Sequence, residues 1–404
     1  MSTTLLKNTQ RIRGFQHHSF EYFEDFLLWK IKRTDFVCFR CGSVNVSVHP
    51  IRSRRIHGAP MGVRRTLLEF MIHRVQCHCC HFRAMEHLHF LSHPKSRISK
   101  ALADAVVQDR HEMSIRSVAA KYGLRWELVK EVEKRFLRRK YAHTPTVHVK
   151  RIGIDEIHIG TKPDRTQHYL TIVRDLESGA VIHIGEGKGI SALEGLQNKL
   201  RKKKLRVVAM DMSNAYSSWV EKHFPKARIV FDHFHVIKLM NERLDKLRRR
   251  YILELDASQR QQFKRLRMLF LRNVEDLDDD SLLILKNMRK HFKELADAYM
   301  FKESLRSIYA TAQDALEARA AFRRWATLAG ASGSREMAAM AKTIRERLSG
   351  IITYWTFDGL SNASTEGFNN KIRWLMRQAY GFRDHSYLKL KIFQLPSFRT
   401  QKQL

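Results

Sequence analysis

The spacing of apolar and polar positions changes along the chain, and each change predicts a different kind of element. Between residues 96 and 145 the period is helical. Ile115, Val118, Ala119 and Tyr122 recur at i, i+3, i+4 and i+7 behind Ser114, a capping residue. Gly123 supplies a left-handed turn and Leu124 fills the elbow. The next helix turns Val129, Val132 and Phe136 inward and offers Arg125, Lys130, Lys134, Arg135 and Arg138 on its other faces. This is the layout of a helix-turn-helix.

From 150 to about 240 the pattern shortens. Arg151–Ile159 is an almost continuous apolar strand. His168–Val173 and Ala180–Ile184, joined by a turn at Glu177–Gly179, continue it as a three-stranded antiparallel meander. A helix at Ser191–Leu200, a strand at Val207–Asp211, a helix through Tyr216–His223 and a strand at Ala227–Asp232 follow. Residues 241–350 read as helix after helix, with breaks near Asp278–Asp280 and Gly330–Gly333, and 351–404 return to a mixed pattern. No run of about 18 apolar residues predicts a membrane span.

Residues 1–95 are rich in Cys, His and Arg. Cys38-Phe-Arg-Cys41 is followed, after 35 residues, by Cys77-His-Cys-Cys80-His81. Two such pairs offer the four thiolates of a tetrahedral structural zinc site. The alternating segments Val44–Val48 and Leu67–Ile72 between them suit the hairpins of a zinc ribbon. Cys38, Cys41, Cys77 and Cys80 are the favoured ligands, with Cys79, His78 or His81 able to replace one of the second pair. Cysteines clustered this way do not form a disulfide framework, and the stretch Met1–Arg13 lacks the apolar centre of a secretory signal. A reducing cytoplasm is the expected compartment.

Charge gives these modules a partner. Lys and Arg number 74 against 41 acidic residues, a net of +33. The surplus is spread over the chain, so a long polyanion would be gripped along its length. Ten basic and two acidic residues between Val37 and Arg97 set the cysteine module against phosphates, and the helix-turn-helix would place its second helix in a major groove.

The apolar strand at 151–159 is interrupted by Asp155 and Glu156, and the strand at 207–211 ends in Asp211. Buried carboxylates need a partner. Three strands, helix, strand, helix, strand is the order of an RNase H-like core, in which neighbouring strand ends bring Asp155 and Asp211 together. Two such carboxylates suit Mg²⁺ (or Mn²⁺), and paired ions stabilise the attacking and leaving oxygens of a displacement at phosphorus. The expected third ligand is Glu366. It heads a helical stripe with Asn370, Arg373 and Arg377, while Phe368, Ile372 and Leu375 face inward.

The stretches Gly153-Ile-Asp-Glu-Ile157, Met210-Asp-Met-Ser213, Phe231-Asp-His-Phe-His-Val236, Ser361-Asn through Glu366-Gly-Phe-Asn-Asn-Lys-Ile-Arg373, and Ala379-Tyr-Gly-Phe382 closely resemble the bacterial insertion-sequence transposases of the ISL-three family. The cysteine clusters and the helix-turn-helix lie where that family has its zinc finger and DNA-binding helices. The resemblance covers roughly residues 36–395. It implies a catalytic triad at Asp155, Asp211 and Glu366, with the helical stretch before Glu366 inserted into the core. Asp232 and His235 resemble the Asp-x-x-His signature of several related families, placed beside the site near the DNA.

The expected architecture is multidomain α+β. A zinc-ribbon module (1–95) and a helix-turn-helix (96–147) precede an RNase H-like α/β core (148–240 and 351–404) interrupted by an all-α insertion (241–350). The expected activity is metal-dependent cleavage of double-stranded DNA at element ends and strand transfer into target DNA. Two ends must be brought together, so a homodimer is expected, in a cytoplasmic, nucleoid-associated protein. The rival reading is a DNA-binding regulator derived from a transposase, which would need no triad.

Overall fold

The computed structural model describes residues 2–143, 146, 148–161, 165–200, 204–256, 260, 261, 263, 264, 266–357, 359 and 363–396. They form two compact units, Met1–Ala142 and His143–Leu404.

The first unit begins with helix α1 (Ser2–Gln10) and strands β1 (Phe15–Tyr22), β2 (Phe26–Arg33), β3 (Val46–Met61), β4 (Arg64–Cys77) and β5 (Arg83–Met85). They make a five-stranded sheet in the order β1-β2-β4-β3, with β5 also on β4. The alternating segments expected as short hairpin pieces are parts of one long antiparallel hairpin, β3–β4. Strands β1 and β2 come from residues whose pattern predicted no element. Their apolar side chains acquire a core only across the sheet, where Phe15, Trp29 and Ile31 meet Ile56, Leu68 and Phe70.

Helices α2 (Lys100–Asp109), α3 (Ile115–Tyr122) and α4 (Trp126–Lys140) complete the unit. Ser114 accepts the Ser117 N–H at 3.0 Å, and Gly123 takes φ +62°. That left-handed turn lets Val118, Ala119, Tyr122 and Val129 close on Leu102 and Val106. In α4 Leu137 is fully buried, while Phe136, expected inward, is half-buried. The helices are tied to the sheet by a bridge between His57 and Ile98, so the two expected modules share one compact unit.

In the second unit β6 (Arg151–Thr161), β7 (Gln167–Asp175) and β8 (Val181–Glu186) form the antiparallel meander. After a 3₁₀ turn (Ile190–Leu193) and a four-residue helix, α5 (Leu196–Lys199), comes β9 (Val207–Met210), then α6 (Asn214–His223) and β10 (Arg228–Phe231). The sheet order is β10-β9-β6-β7-β8, with β9 parallel to β6 and β10 parallel to β9. The helical region starts earlier than expected, with α7 (His233–Glu254) directly after Asp232. It continues through α8 (Arg267–Leu271), α9 (Asp279–His291), α10 (Lys293–Thr311), α11 (Ala315–Gly330) and α12 (Arg335–Thr356).

These helices are not a separate lobe. Ile152, Ile154, Val208 and Met210 share one core with Leu244, Tyr299, Phe322 and Ile344. Gly350 permits a close approach, because a Cβ there would lie 2.5 Å from the Phe231 ring. Tyr354, Trp355 and Phe357 pack against apolar neighbours rather than standing free. The other face of the meander is covered by α13 (Ala363–Gln378) and α14 (His385–Gln394), through Phe368, Ile372, Leu388 and Ile392 on Ile157, Leu170 and Ile172. The C-terminal region expected as mixed contains only helices among its described residues.

Candidate active site and cysteine cluster

Register explains why Asp155 and Asp211 meet. Parallel pairing aligns Arg151 with Val207, Ile152 with Val208 and Gly153 with Ala209. Asp211 directly follows the end of β9, so continuing that register by two residues would set it beside Asp155 and, by the two-residue alternation of a strand, on the same face. That face is the one α13 covers, since Asp155 lies opposite Ile172 and both border the Phe368 cluster.

Glu366, in the first turn of α13, completes the group. The carboxyl of Asp155 is pushed up to about 6, first by burial and then by the negative charges of Asp211 and Glu366. The N–H of Glu156 and the nearby His235 oppose that rise. Asp211 and Glu366 therefore both stand within electrostatic reach of Asp155. They are not closed around one point: among the described residues only the four cysteines have ligand atoms all within 4.8 Å.

Two positioning contacts were not legible from the sequence. Asn369, 2% exposed, donates to Asp155 Oδ2 at 2.8 Å. Its signal is its place three residues after Glu366, as an amide in the inner stripe with Phe368 and Ile372. Arg174 on β7, also buried, holds the start of α13. Its guanidinium donates to the Ser364 carbonyl at 2.5 Å and to the Gly179 carbonyl at 2.8 and 3.1 Å, and lies 4.3 Å from the Phe368 ring centroid. Glu156 points to the opposite face from Asp155, where Tyr216 donates to it at 2.7 Å and Lys188 approaches to 3.3 Å.

The remaining expected site residues separate. Asp232 is 1% exposed and caps α7, accepting the Phe234 N–H at 3.1 Å. Burial opposes its ionisation, but His233 and that N–H hold its carboxyl below the usual range. It is a buried helix cap, and His235 in the next turn lies close enough to Asp155 to influence its charge. Asn370 is exposed and accepts from Arg373 at 2.6 Å, and Arg377 follows one turn later on the same stripe. On α4, Arg125, Arg135 and Arg138 are exposed and Lys130 is half-buried. Lys134 departs from expectation: at 9% exposure it lies on the inner side with Glu133 and Leu137, so it is not available to a groove.

In the first unit, the turn before β3 and the end of β4 bring Cys38, Cys41, Cys77 and Cys80 together. The Cys38–Cys80 and Cys41–Cys77 sulfur separations are both 3.5 Å. Four sulfurs about 2.3 Å from one zinc ion would stand roughly 3.8 Å apart, so the cage fits that ion. Backbone N–H groups aimed at two of the sulfurs favour thiolates there: the Cys41 N–H chiefly lowers Cys38, and the Cys80 N–H chiefly lowers Cys77, to about 6. At Cys41 and Cys80 the Ser43 and Phe82 N–H groups are outweighed by burial and neighbouring sulfurs, which raise both, Cys41 to about 12. Cys79 stands outside the cage beside Ser43, and His78 is bonded to Ser47.

A family model described as "Transposase", of the DDE, ISL3 type, matches residues 152–392. The chain is 28% identical over 362 residues, 88% of its length and 87% of the relative's, to the transposase for insertion sequence element IS1001 of Bordetella parapertussis. It is 29% identical over 267 residues to the transposase for insertion sequence element IS1557 of Mycobacterium tuberculosis, covering 58% of this chain and 57% of that one. The matched span runs from the first strand of the meander into the last helix over the carboxylates, and the chain belongs to the ISL3 family of insertion-sequence transposases.

Proposed function

We propose that the second unit is an RNase H-like core that cleaves DNA at the ends of an insertion sequence and joins them to target DNA, using divalent cations held by Asp155, Asp211 and Glu366. One observation supports the reading: the charges of Asp211, just beyond β9, and of Glu366, on α13, both bear on the half-buried Asp155 of the neighbouring strand β6. Bound Mg²⁺ or Mn²⁺ would supply the positive charge that stabilises the entering and leaving oxygens at phosphorus.

The chain's own residues do the rest. Asn369 fixes the rotamer of Asp155, and Arg174 fixes the position of the helix that carries Glu366. Arg373 and Arg377 continue that helix's stripe as phosphate contacts, holding the strand so that water, and later the freed 3′-hydroxyl, approaches in line. The four-cysteine cage holds a structural zinc ion, and Arg125, Arg135 and Arg138 of α4 contact double-stranded DNA. Two element ends require two active sites, which makes a homodimer the working form. No helix among the described residues is long and apolar enough to cross a membrane.

The test is Mg²⁺-dependent nicking of a duplex carrying the DNA that flanks this gene. Wild type should cut at a defined end, while Glu366→Gln should bind that duplex and fail to cut it. Equal cutting by both proteins, or binding with no cutting by either in Mg²⁺ or Mn²⁺, would overturn the assignment.

A further inference from the structure

Helix α13 ends in an unusual way. The Gly381 N–H bonds the Met376 carbonyl at 2.9 Å and the Tyr380 N–H bonds the Arg377 carbonyl at 3.1 Å, the pattern that closes a helix through one left-handed residue. That residue is normally glycine. Here it is Tyr380, at φ +50°, and its side chain is fully exposed. A bulky residue in this conformation is strained, and strain of this kind gathers where a side chain serves a ligand.

Tyr380 borders a cleft of about 340 Å³ with Arg373, Met376, Arg377 and Gly381. Trp374, 60% exposed, lies one helical turn from Arg377. Arg373 is oriented by Asn370, and among the described residues neither Arg373 nor Arg377 meets a carboxylate. The same stripe begins at Glu366. At 1.5 Å per residue, Arg373 and Arg377 lie roughly 10 and 16 Å along the helix from it.

We propose that Tyr380, with Arg373 and Arg377, forms a binding site for an unpaired DNA base and its flanking phosphates, within about six nucleotides of the cleaved bond at ~3.4 Å per nucleotide. An exposed ring beside guanidinium groups is what a splayed nucleotide needs: a π face for the base and cations for its phosphates. Continuity with the carboxylates favours this occupant over a protein surface. The inference rests on the DNA-cleaving reading above.

The experiment uses the full chain and the flanking-DNA duplex, with 5-iodouracil placed in turn at the six positions next to the cleaved bond on each strand. Wild type should cross-link through Tyr380 at one of them. Tyr380→Ala and Tyr380→Gly should each cut about 10- to 100-fold more slowly, while Tyr380→Phe, which keeps the ring, should lose far less. An unpaired base at the cross-linked position should recover part of the loss in Tyr380→Ala. The glycine variant separates function from folding, because glycine suits the left-handed position better than tyrosine. Cutting by Tyr380→Gly at the wild-type rate, or cross-links that avoid Tyr380, would overturn the site. Dissociation of a dimer by Tyr380→Ala without any cross-link would assign the ring to a second copy of the chain instead. No cutting by wild type would remove the DNA-cleaving reading itself, and this site with it.

Discussion

Replacing Asp155 by Asn should destroy cleavage and yet make the metal-free protein more stable. Burial and the charges of Asp211 and Glu366 move this carboxyl from 3.8 to about 6. Two pH units at about 1.4 kcal/mol each give roughly 3 kcal/mol of strain once it ionises. Its folded pKa is raised, so its contribution is favourable at low pH and is lost as pH climbs from 3.8 through 6. At pH 7.5 the loss is complete, and a neutral amide of the same shape avoids it once Asn369 turns its unpartnered Oδ1, in place of its NH2, toward the new amide. A gain of about 2–3 kcal/mol corresponds to roughly 4–12 °C for a unit of this size. The assay is thermal unfolding in Mg²⁺-free buffer without chelator, so that any bound zinc stays in place. Wild type should gain stability on adding Mg²⁺ at pH 7.5, and Asp155→Asn should gain little. The reasoning fails if Asp155→Asn melts at or below the wild-type temperature in Mg²⁺-free buffer at pH 7.5, or if Mg²⁺ stabilises both proteins equally.

Arg174→Ala should remove the charged donors that hold the start of α13, costing about 2–4 kcal/mol of stability. Because Glu366 rides on that helix, cleavage well below the melting temperature should also drop about 100-fold; a lower melting point with an unchanged rate would make Arg174 purely structural. Cys77→Ser should leave purified protein with less than one zinc per chain, whereas Cys79→Ser should bind zinc like wild type. Metal analysis showing the reverse would move the fourth ligand out of the cage.

Local pattern was sufficient for a good deal of this protein. Helices α3 and α4 and the turn between them followed from Ser114, Gly123 and a 3.6-residue period, because capping and a left-handed turn are decided by neighbours in sequence. The meander and the β9–α6–β10 order followed from runs of apolar residues between turns, and Asp155 and Asp211 stood out as charges where a buried strand tolerates none. Long-range pairing was not legible in the same way. Strands β1 and β2 have a weak pattern of their own and become strands only by bonding to each other and to β4, and α12 packs closely on β10 because Gly350 leaves room for the Phe231 ring. The sequence also could not tell Asn369 from Asn370, or Lys134 from Arg135. Adjacent residues on a helix differ by about 100°, and only the neighbouring sheet or helix decides which of the two is turned inward. Composition and spacing supplied the chemistry, and tertiary packing decided which atoms reach it: Asn369 and Arg174 touch the site's elements from positions 214 residues and 190 residues away from their partners along the chain.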